Sequence, residues 1–180
     1  MNRMVPPTLQ TERLILRPHG LEDFDAYAEM LRTIDVGVTS GLTSLSREQA
    51  WVRFLRGFGF WAMHARGPLG VIEKSTGAYV GEVGVADFER DITPSHCHMP
   101  EFFWAITLAA RGRGFASEAV QKMTLWADEN CAENTFCCLI DEDNLPSQNV
   151  ARKAGFKRAY AASYQSVVYT YARAVCRCGL

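Results

Sequence analysis

The sequence predicts a mixed α/β (α+β) domain in which helices cover both faces of a central mixed sheet. Three observations predict it. Strand-like apolar runs outnumber helical segments, and some follow one another as hairpins. Others alternate with amphipathic helices as βα units. Finally, 180 residues with 48% hydrophobic side chains suit one domain over 1–180, able to bury about 70% of the surface of its unfolded chain.

Each element has its own signal. Thr11 to Arg17 is a short apolar run stopped by Pro18, a first strand. Leu21 to Thr33 places Phe24, Tyr27, Ala28 and Leu31 at helical spacing, with Glu22, Asp23 and Asp25 in the first turn. Ser46 and Gln49 form a capping-box pattern, and Trp51, Phe54, Leu55 and Phe58 follow with a helical period that Gly57 and Gly59 should end. Trp61 to Ala65 and Leu69 to Glu73 read as strand pieces split by Gly67-Pro68, and the turn Lys74 to Gly77 leads into a return strand, Tyr79 to Phe88. A polar loop, Glu89 to Pro100, precedes the strongly apolar strand Glu101 to Leu108. An amphipathic helix runs from Ser117 to about Asn130, Thr135 to Ile140 is a buried strand, and Ser147 to Ala154 is a short helix stopped by Gly155. Phe156 to Tyr160 and Tyr164 to Tyr171 close the sheet.

Charge and composition exclude some partners. Nineteen Lys and Arg against 20 Asp and Glu leave a net charge of −1, so no global field recruits nucleic acid or an anionic membrane. No apolar run approaches the roughly 18 residues that span a bilayer, and Met1 to Gln10 has no signal-peptide core. Of the cysteines at 97, 131, 137, 138, 176 and 178, the adjacent pair 137 and 138 falls in a strand. Adjacent strand residues face opposite sides, so one disulfide cannot easily serve both, and a reducing, cytoplasmic setting is expected.

The chemistry concentrates between residues 108 and 118. Gly112 and Gly114 allow a tight turn and a close backbone approach. A helix starting there aims its free N–H groups and positive dipole end at the same point, and Arg111 and Arg113 bring forked donors suited to phosphate oxygens. Together they describe a pyrophosphate cradle. A Walker loop would need a lysine after Gly114, and a dinucleotide fingerprint would need glycine where Ser117 stands, so neither fits.

Arg111-x-x-Gly114-x-Ala116 resembles the R/Q-x-x-G-x-A/G signature of the GCN5-related N-acetyltransferases, and three further stretches resemble the branch of that superfamily containing the RimJ/RimL-type ribosomal-protein N-terminal acetyltransferases. They are Thr11-Glu-Arg-Leu-Ile-Leu-Arg-Pro18, Gly77-Ala-Tyr-Val-Gly-Glu-Val-Gly84, and Asn144-Leu-Pro-Ser147 with Lys153-Ala-Gly155-Phe156; together the likeness spans about residues 8–172. The resemblance implies a six- to seven-stranded sheet whose fourth and fifth strands, Glu101 to Leu108 and Thr135 to Ile140, splay to admit the pantetheine arm of acetyl-CoA. Backbone groups near Ala105, Ile106 and Leu108 are then expected to pair with the arm. The N–H groups of Arg113, Gly114, Phe115, Ala116 and Ser117, beside Arg111 and Gly112, would hold the pyrophosphate. Asn144 and Ser147 would sit beside the arm and thioester, and Lys153 or Arg152 would meet the nucleotide phosphates. Dimers are common in this branch, so a second copy of the chain is a further expected partner.

The implied reaction is direct attack of a neutral amine on the thioester, with an oxyanion to stabilise and a thiolate to protonate. A backbone N–H near Ala105 or Ile106 is the expected oxyanion donor. Ser147 is the candidate acid, while a helix N-cap after Pro146 accounts for it equally well and both roles can coexist. Glu101 is the candidate base, with Glu82 in the neighbouring hairpin strand as the other carboxylate. At ~3.3 Å per residue, Glu101 stands on the order of 13 Å upstream of Ala105 and would need a water relay. An α-amine is about 10% neutral at pH 7 and a lysine roughly 0.04%, a difference of about 3.5 kcal/mol that a strong base would have to supply. With none evident, a protein or peptide N-terminus is the expected acceptor. A small amine such as an antibiotic or polyamine is the alternative, and a non-catalytic acyl-CoA sensor the rival from another class. No metal is expected: His96-Cys97-His98 and Cys176-x-Cys178 lack paired ligand spacing. Loops at 36–43 and 89–100 should carry acceptor specificity, and one or two of Trp51, Phe54, Phe58, Phe60 and Trp61 should wall the pocket.

Overall fold

The computed structural model describes residues 5–33, 44–93, 99–164 and 166–175. They form an eight-stranded sheet in the order β1-β2-β3-β4-β5-β6-β8-β7. The strands are β1 (Leu9–Gln10), β2 (Leu14–Arg17), β3 (Pro68–Glu73), β4 (Tyr79–Ala86), β5 (Glu101–Ile106), β6 (Thr135–Asp141), β7 (Lys157–Tyr164) and β8 (Ser166–Ala174), with helices α1 (Phe24–Thr33), α2 (Arg47–His64), α3 (Phe115–Asn130) and α4 (Leu145–Lys153). The extra strand arises because the chain doubles back at residues 11–13, pairing Leu9 with Leu16.

From β1 to β5 every pairing is antiparallel, and the β6-β8-β7 group is antiparallel as well. The two groups meet in a parallel pairing with one register point, Glu101 opposite Cys137. Beyond it β5 and β6 diverge. Rings hold the groups together on one side of the seam: Phe102 of β5 meets Phe136 of β6 at 5.3 Å and Phe156, before β7, at 5.4 Å, both edge to face. Such pairs contribute about 0.5–1.5 kcal/mol each beyond their burial.

Each face of the sheet has its own core. Leu16, Val71, Val83 and Phe102 pack with Phe115, Val120 and Met123 of α3 and Val150 of α4. Tyr27, Met30 and Leu31 of α1 pack with Ala50 and Phe54 of α2, against Tyr79 and Ala105. Cys137 and Cys138 are buried free thiols of β6, and burial pushes both pKa values up, which keeps them protonated and unreactive.

One expected strand is helix instead. Trp61 to His64 continues α2, which ends at Ala65 in the left-handed conformation rather than at Gly57 or Gly59. Gly57 is a contact point: a Cβ there would stand 2.7 Å from Cγ of Pro68, so the glycine lets α2 cross the start of β3 closely. Trp61 then turns inward and its Nε1 donates to the Pro68 carbonyl at 2.7 Å. Glycine costs an interior helical site about 1 kcal/mol against alanine, and burial of Trp61 and Pro68 outweighs it.

His19, packed between Tyr27, Phe54 and Tyr79, is held below its ordinary pKa by burial. Its folded pKa is depressed, so between the folded and unfolded values the unfolded chain binds more protons, and stability present above about pH 6.5 is lost as pH falls below it. Thermal melting between pH 7.5 and 5 is expected to show a drop that shrinks in His19→Phe; an unchanged slope would discount the residue.

Candidate active site

The seam between β5 and β6 leads to the start of α3. Strand alternation sets which groups face it. The Thr107 N–H donates to the Val80 carbonyl at 2.9 Å on the β4 side, whereas the Cys137 N–H donates to the Pro100 carbonyl at 3.1 Å on the β6 side. Register with β4 is unbroken from Glu101 to Ile106. Odd-numbered residues of β5 therefore bond to β4, and Trp104 and Ile106 turn their backbone groups into the seam. This corrects the expectation for Ala105, whose backbone is spent opposite Glu82. The backbone of Ile106 is on the seam side. Leu108 is exposed, and its carbonyl accepts from the Arg111 N–H at 3.3 Å to close a 3-10 turn.

Gly112 and Gly114 have φ of 76° and 82°, a region that costs any residue with a Cβ. Gly114 caps α3, which begins at Phe115, and no side chain caps its first N–H groups. Those of Phe115, Ala116 and Ser117 lack partners within the helix and converge where an anion is best held.

The charges around this cradle differ from the expected pair of phosphate-binding arginines. Arg113 is ion-paired with Glu73 of β3 and stacks 4.4 Å over the Phe115 ring; its guanidinium holds the Glu73 carboxyl below the ordinary range. Arg13, which the sequence did not mark as a site residue, stacks 4.9 Å over the same ring, binds Glu118 through Nε at 2.7 Å and donates to the Arg113 carbonyl at 2.9 Å. Both pairs join residues far apart in sequence, so no spacing rule could have found them. Arg111 is exposed, its Nε 3.4 Å from the Ile106 carbonyl, and has no carboxylate partner among the described residues. One arginine rather than two is left to meet phosphate.

On the far side of the seam Asn144 caps α4, its Oδ1 accepting from the Ser147 N–H at 3.1 Å. Ser147 is therefore the third helical residue and not the cap, and its half-buried hydroxyl makes no hydrogen bond among the described residues. Lys153 and Arg152 lie at the exposed end of α4, where the Lys153 carbonyl accepts from Gln121 of α3 at 3.2 Å.

The two carboxylates have different fates. Glu101 is buried, not solvent-facing: its oxygens accept from Nε and Nη2 of Arg90 at 2.6 and 2.8 Å. Glu82, also buried, stands directly opposite Ala105; Oε1 accepts from Arg53 of α2 at 3.0 Å, and Oε2 has no partner among the described residues. Glu82 lines a cavity on the α2 face with Tyr27, Arg53, Arg56, Phe60, Phe88 and Phe103. Of the aromatic residues of α2, Phe60 walls this cavity, Phe54 and Trp61 are core, and Trp51 and Phe58 are exposed. The segments 36–43 and 94–98, with His96-Cys97-His98, and Cys176 and Cys178 lie outside the described residues.

Comparison with known proteins agrees with this geometry. Residues 13–157 match the family described as "Acetyltransferase (GNAT) domain". A solved protein of Bordetella pertussis assigned to the GnaT acetyltransferase family is 30% identical, with 93% of this chain and 99% of that chain covered and a TM-score of 0.83. An N-acetyltransferase 9-like protein of Caenorhabditis briggsae is 39% identical over 59 residues, 32% of this chain and 30% of the relative's length. Ribosomal-protein-S5-alanine acetyltransferase of Vibrio fischeri (14% identity, TM-score 0.74, 97% and 100% covered) shares the fold. So does the spermidine N-acetyltransferase of Vibrio cholerae solved with CoA and spermine (12%, 0.72, 92% and 97%). Among the described residues no helix is long and apolar enough to cross a membrane.

Proposed function

Because the chain belongs to the acetyltransferase (GNAT) domain family, we propose that it is an N-acetyltransferase using acetyl-CoA, with a protein or peptide N-terminal α-amine as acceptor. The observation that carries the reading is a sheet joined at one register point, whose open seam runs to an uncapped helix N-terminus. Acetyl-CoA supplies an acyl group already activated as a thioester.

The chain's own groups divide the work. Phe115, Ala116 and Ser117 N–H groups with Arg111 bind the pyrophosphate. Trp104 and Ile106 extend the β5 ladder to the amides of the pantetheine arm, and an N–H of this pair stabilises the developing oxyanion. Ser147, its hydroxyl unclaimed by the helix cap, donates to the departing thiolate. Glu82 takes the amine proton through Oε2, since it stands beside the reacting stretch of β5. Glu101 is spent on Arg90 and positions the start of that strand.

The α-amine is favoured on energetic grounds, since Glu82 is itself held by Arg53 and an acceptor already about 10% neutral at pH 7 asks least of it. Thiol release is the test, using a lysine-free peptide with a free N-terminus and the same peptide N-terminally blocked and carrying one lysine. The free N-terminus is expected to give kcat/KM about 100-fold higher or more, and equal rates would overturn the reading.

A further inference from the structure

The cavity beside Glu82 is lined by more positive charge than its carboxylate neutralises. Arg53 pairs with Glu82, and Arg90, whose guanidinium lies 4.4 Å over the Phe88 ring, pairs with Glu101. Arg56, one helical turn after Arg53, has no carboxylate partner among the described residues; it lies 5.6 Å over the Phe60 ring and 5.4 Å over the Phe88 ring. Among the residues that line the cavity, two guanidiniums, Arg53 and Arg56, face one carboxylate, Glu82, which leaves one positive charge. Arg56 is an exposed residue, and desolvation of its guanidinium with the neighbouring charge of Arg53 pushes its pKa down.

The acidic residues Asp87 and Glu89 follow β4 in the chain. Asp87 is bound by Arg66 at 2.9 Å and by His64 at 3.2 Å, and Glu89 is exposed. A guanidinium held near aromatic rings by cation–π attraction spends no N–H on a carboxylate there and can offer them to a planar, forked acceptor. Phe103, two residues before Ala105 in β5, lines the same cavity, so a ligand held here is roughly 7 Å along the strand from the reacting stretch.

We infer that Arg56 is a specificity residue that binds a carboxylate of the acceptor, making the substrate an amine that carries an acidic group. Resting on the reading above, the inference selects N-termini followed closely by Asp or Glu and disfavours polycationic amines, which would meet like charge. The same chemistry also fits a free amino dicarboxylate, and the two sources are separated by the assay.

Thiol release with acetyl-CoA is measured on peptides identical except for Asp or Lys at positions 2 and 3, on free glutamate, and on spermidine. The Asp peptide is expected to exceed the Lys peptide about tenfold or more in kcat/KM, as befits a lost charge-assisted hydrogen bond. That ratio should collapse in Arg56→Gln, persist in part in Arg56→Lys, and invert in Arg56→Glu. Turnover of glutamate above the Asp peptide assigns the site to a small acceptor; the reverse assigns it to a peptide. Equal turnover of Asp and Lys peptides by the wild type, or a preference surviving Arg56→Gln, overturns the role of Arg56. If no amine releases thiol, the enzymatic reading fails separately, and calorimetry of the Asp peptide on the CoA-loaded protein decides: binding lost in Arg56→Gln supports the site, and no binding refutes it.

Discussion

Gly114→Val is expected to abolish calorimetric binding of coenzyme A, whereas Gly77→Val retains it. Both glycines have positive φ, 82° and 69°, so valine strains both backbones by a similar 1–2 kcal/mol or more. They differ in what surrounds them. A Cβ at Gly77 meets nothing within 4 Å, and the residue lies in the turn between β3 and β4 rather than at the start of α3. At Gly114 the added side chain stands 3.4 Å from Nη2 of Arg13 and at the mouth of the anion site. Affinity for CoA should fall at least about 100-fold, because the side chain displaces phosphate from N–H groups that have no other partner. Retained binding in Gly114→Val would remove the cradle, and equal loss in Gly77→Val would reduce the effect to strain.

The second large effect is on stability. Arg53→Met leaves the Glu82 carboxylate, 3% exposed, without its cation. Breaking a buried pair on one side typically costs about 3–5 kcal/mol, or roughly 10 °C in Tm for a domain this size. Arg53 keeps 24% exposure, so water reaches its end of the pair and the lower part of that range applies. Arg53→Met with Glu82→Leu is expected to recover most of the loss, since no buried charge remains. A drop in the double variant as large as in the single one would show that α2 packing, not the unpaired charge, sets the cost. Glu82→Gln keeps the shape but leaves Arg53 without its carboxylate, so Tm should also fall; assayed well below that Tm, kcat/KM is still expected to fall at least tenfold if Glu82 takes the amine proton.

Much of the fold was legible because it follows local rules. The capping box at Ser46 and Gln49, the turn at Lys74 to Gly77 and the glycines before α3 each act within a few residues, and each stands where the spacing put it. Reading Trp61 to His64 as a strand went wrong because Gly57 suggested a helix end, when its purpose is contact with Pro68, a tertiary fact. The site divides the same way. Gly112, Gly114 and the start of α3 are one continuous stretch and could be read directly. The fate of each charge could not, since Arg113 with Glu73, Arg13 with Glu118 and Arg90 with Glu101 are joined only by folding. Glu82 was visible as a carboxylate, but its place opposite Ala105 depends on the register of β4 against β5.

The single bridge between Glu101 and Cys137 also bears on how the protein is assembled. From β1 to β5 the order in space is the order in sequence, so in that leaf each strand lies beside the one before it. The last three strands make a second leaf, in which β8 lies between β6 and β7. One register point joins the leaves, whereas continuous ladders join β6 to β8 and β7 to β8 within the second. The seam therefore lies where the ladder between the leaves stops. Entry to the middle of the sheet is an architectural doorway, framed by strand order, which no ladder of hydrogen bonds has to break to open.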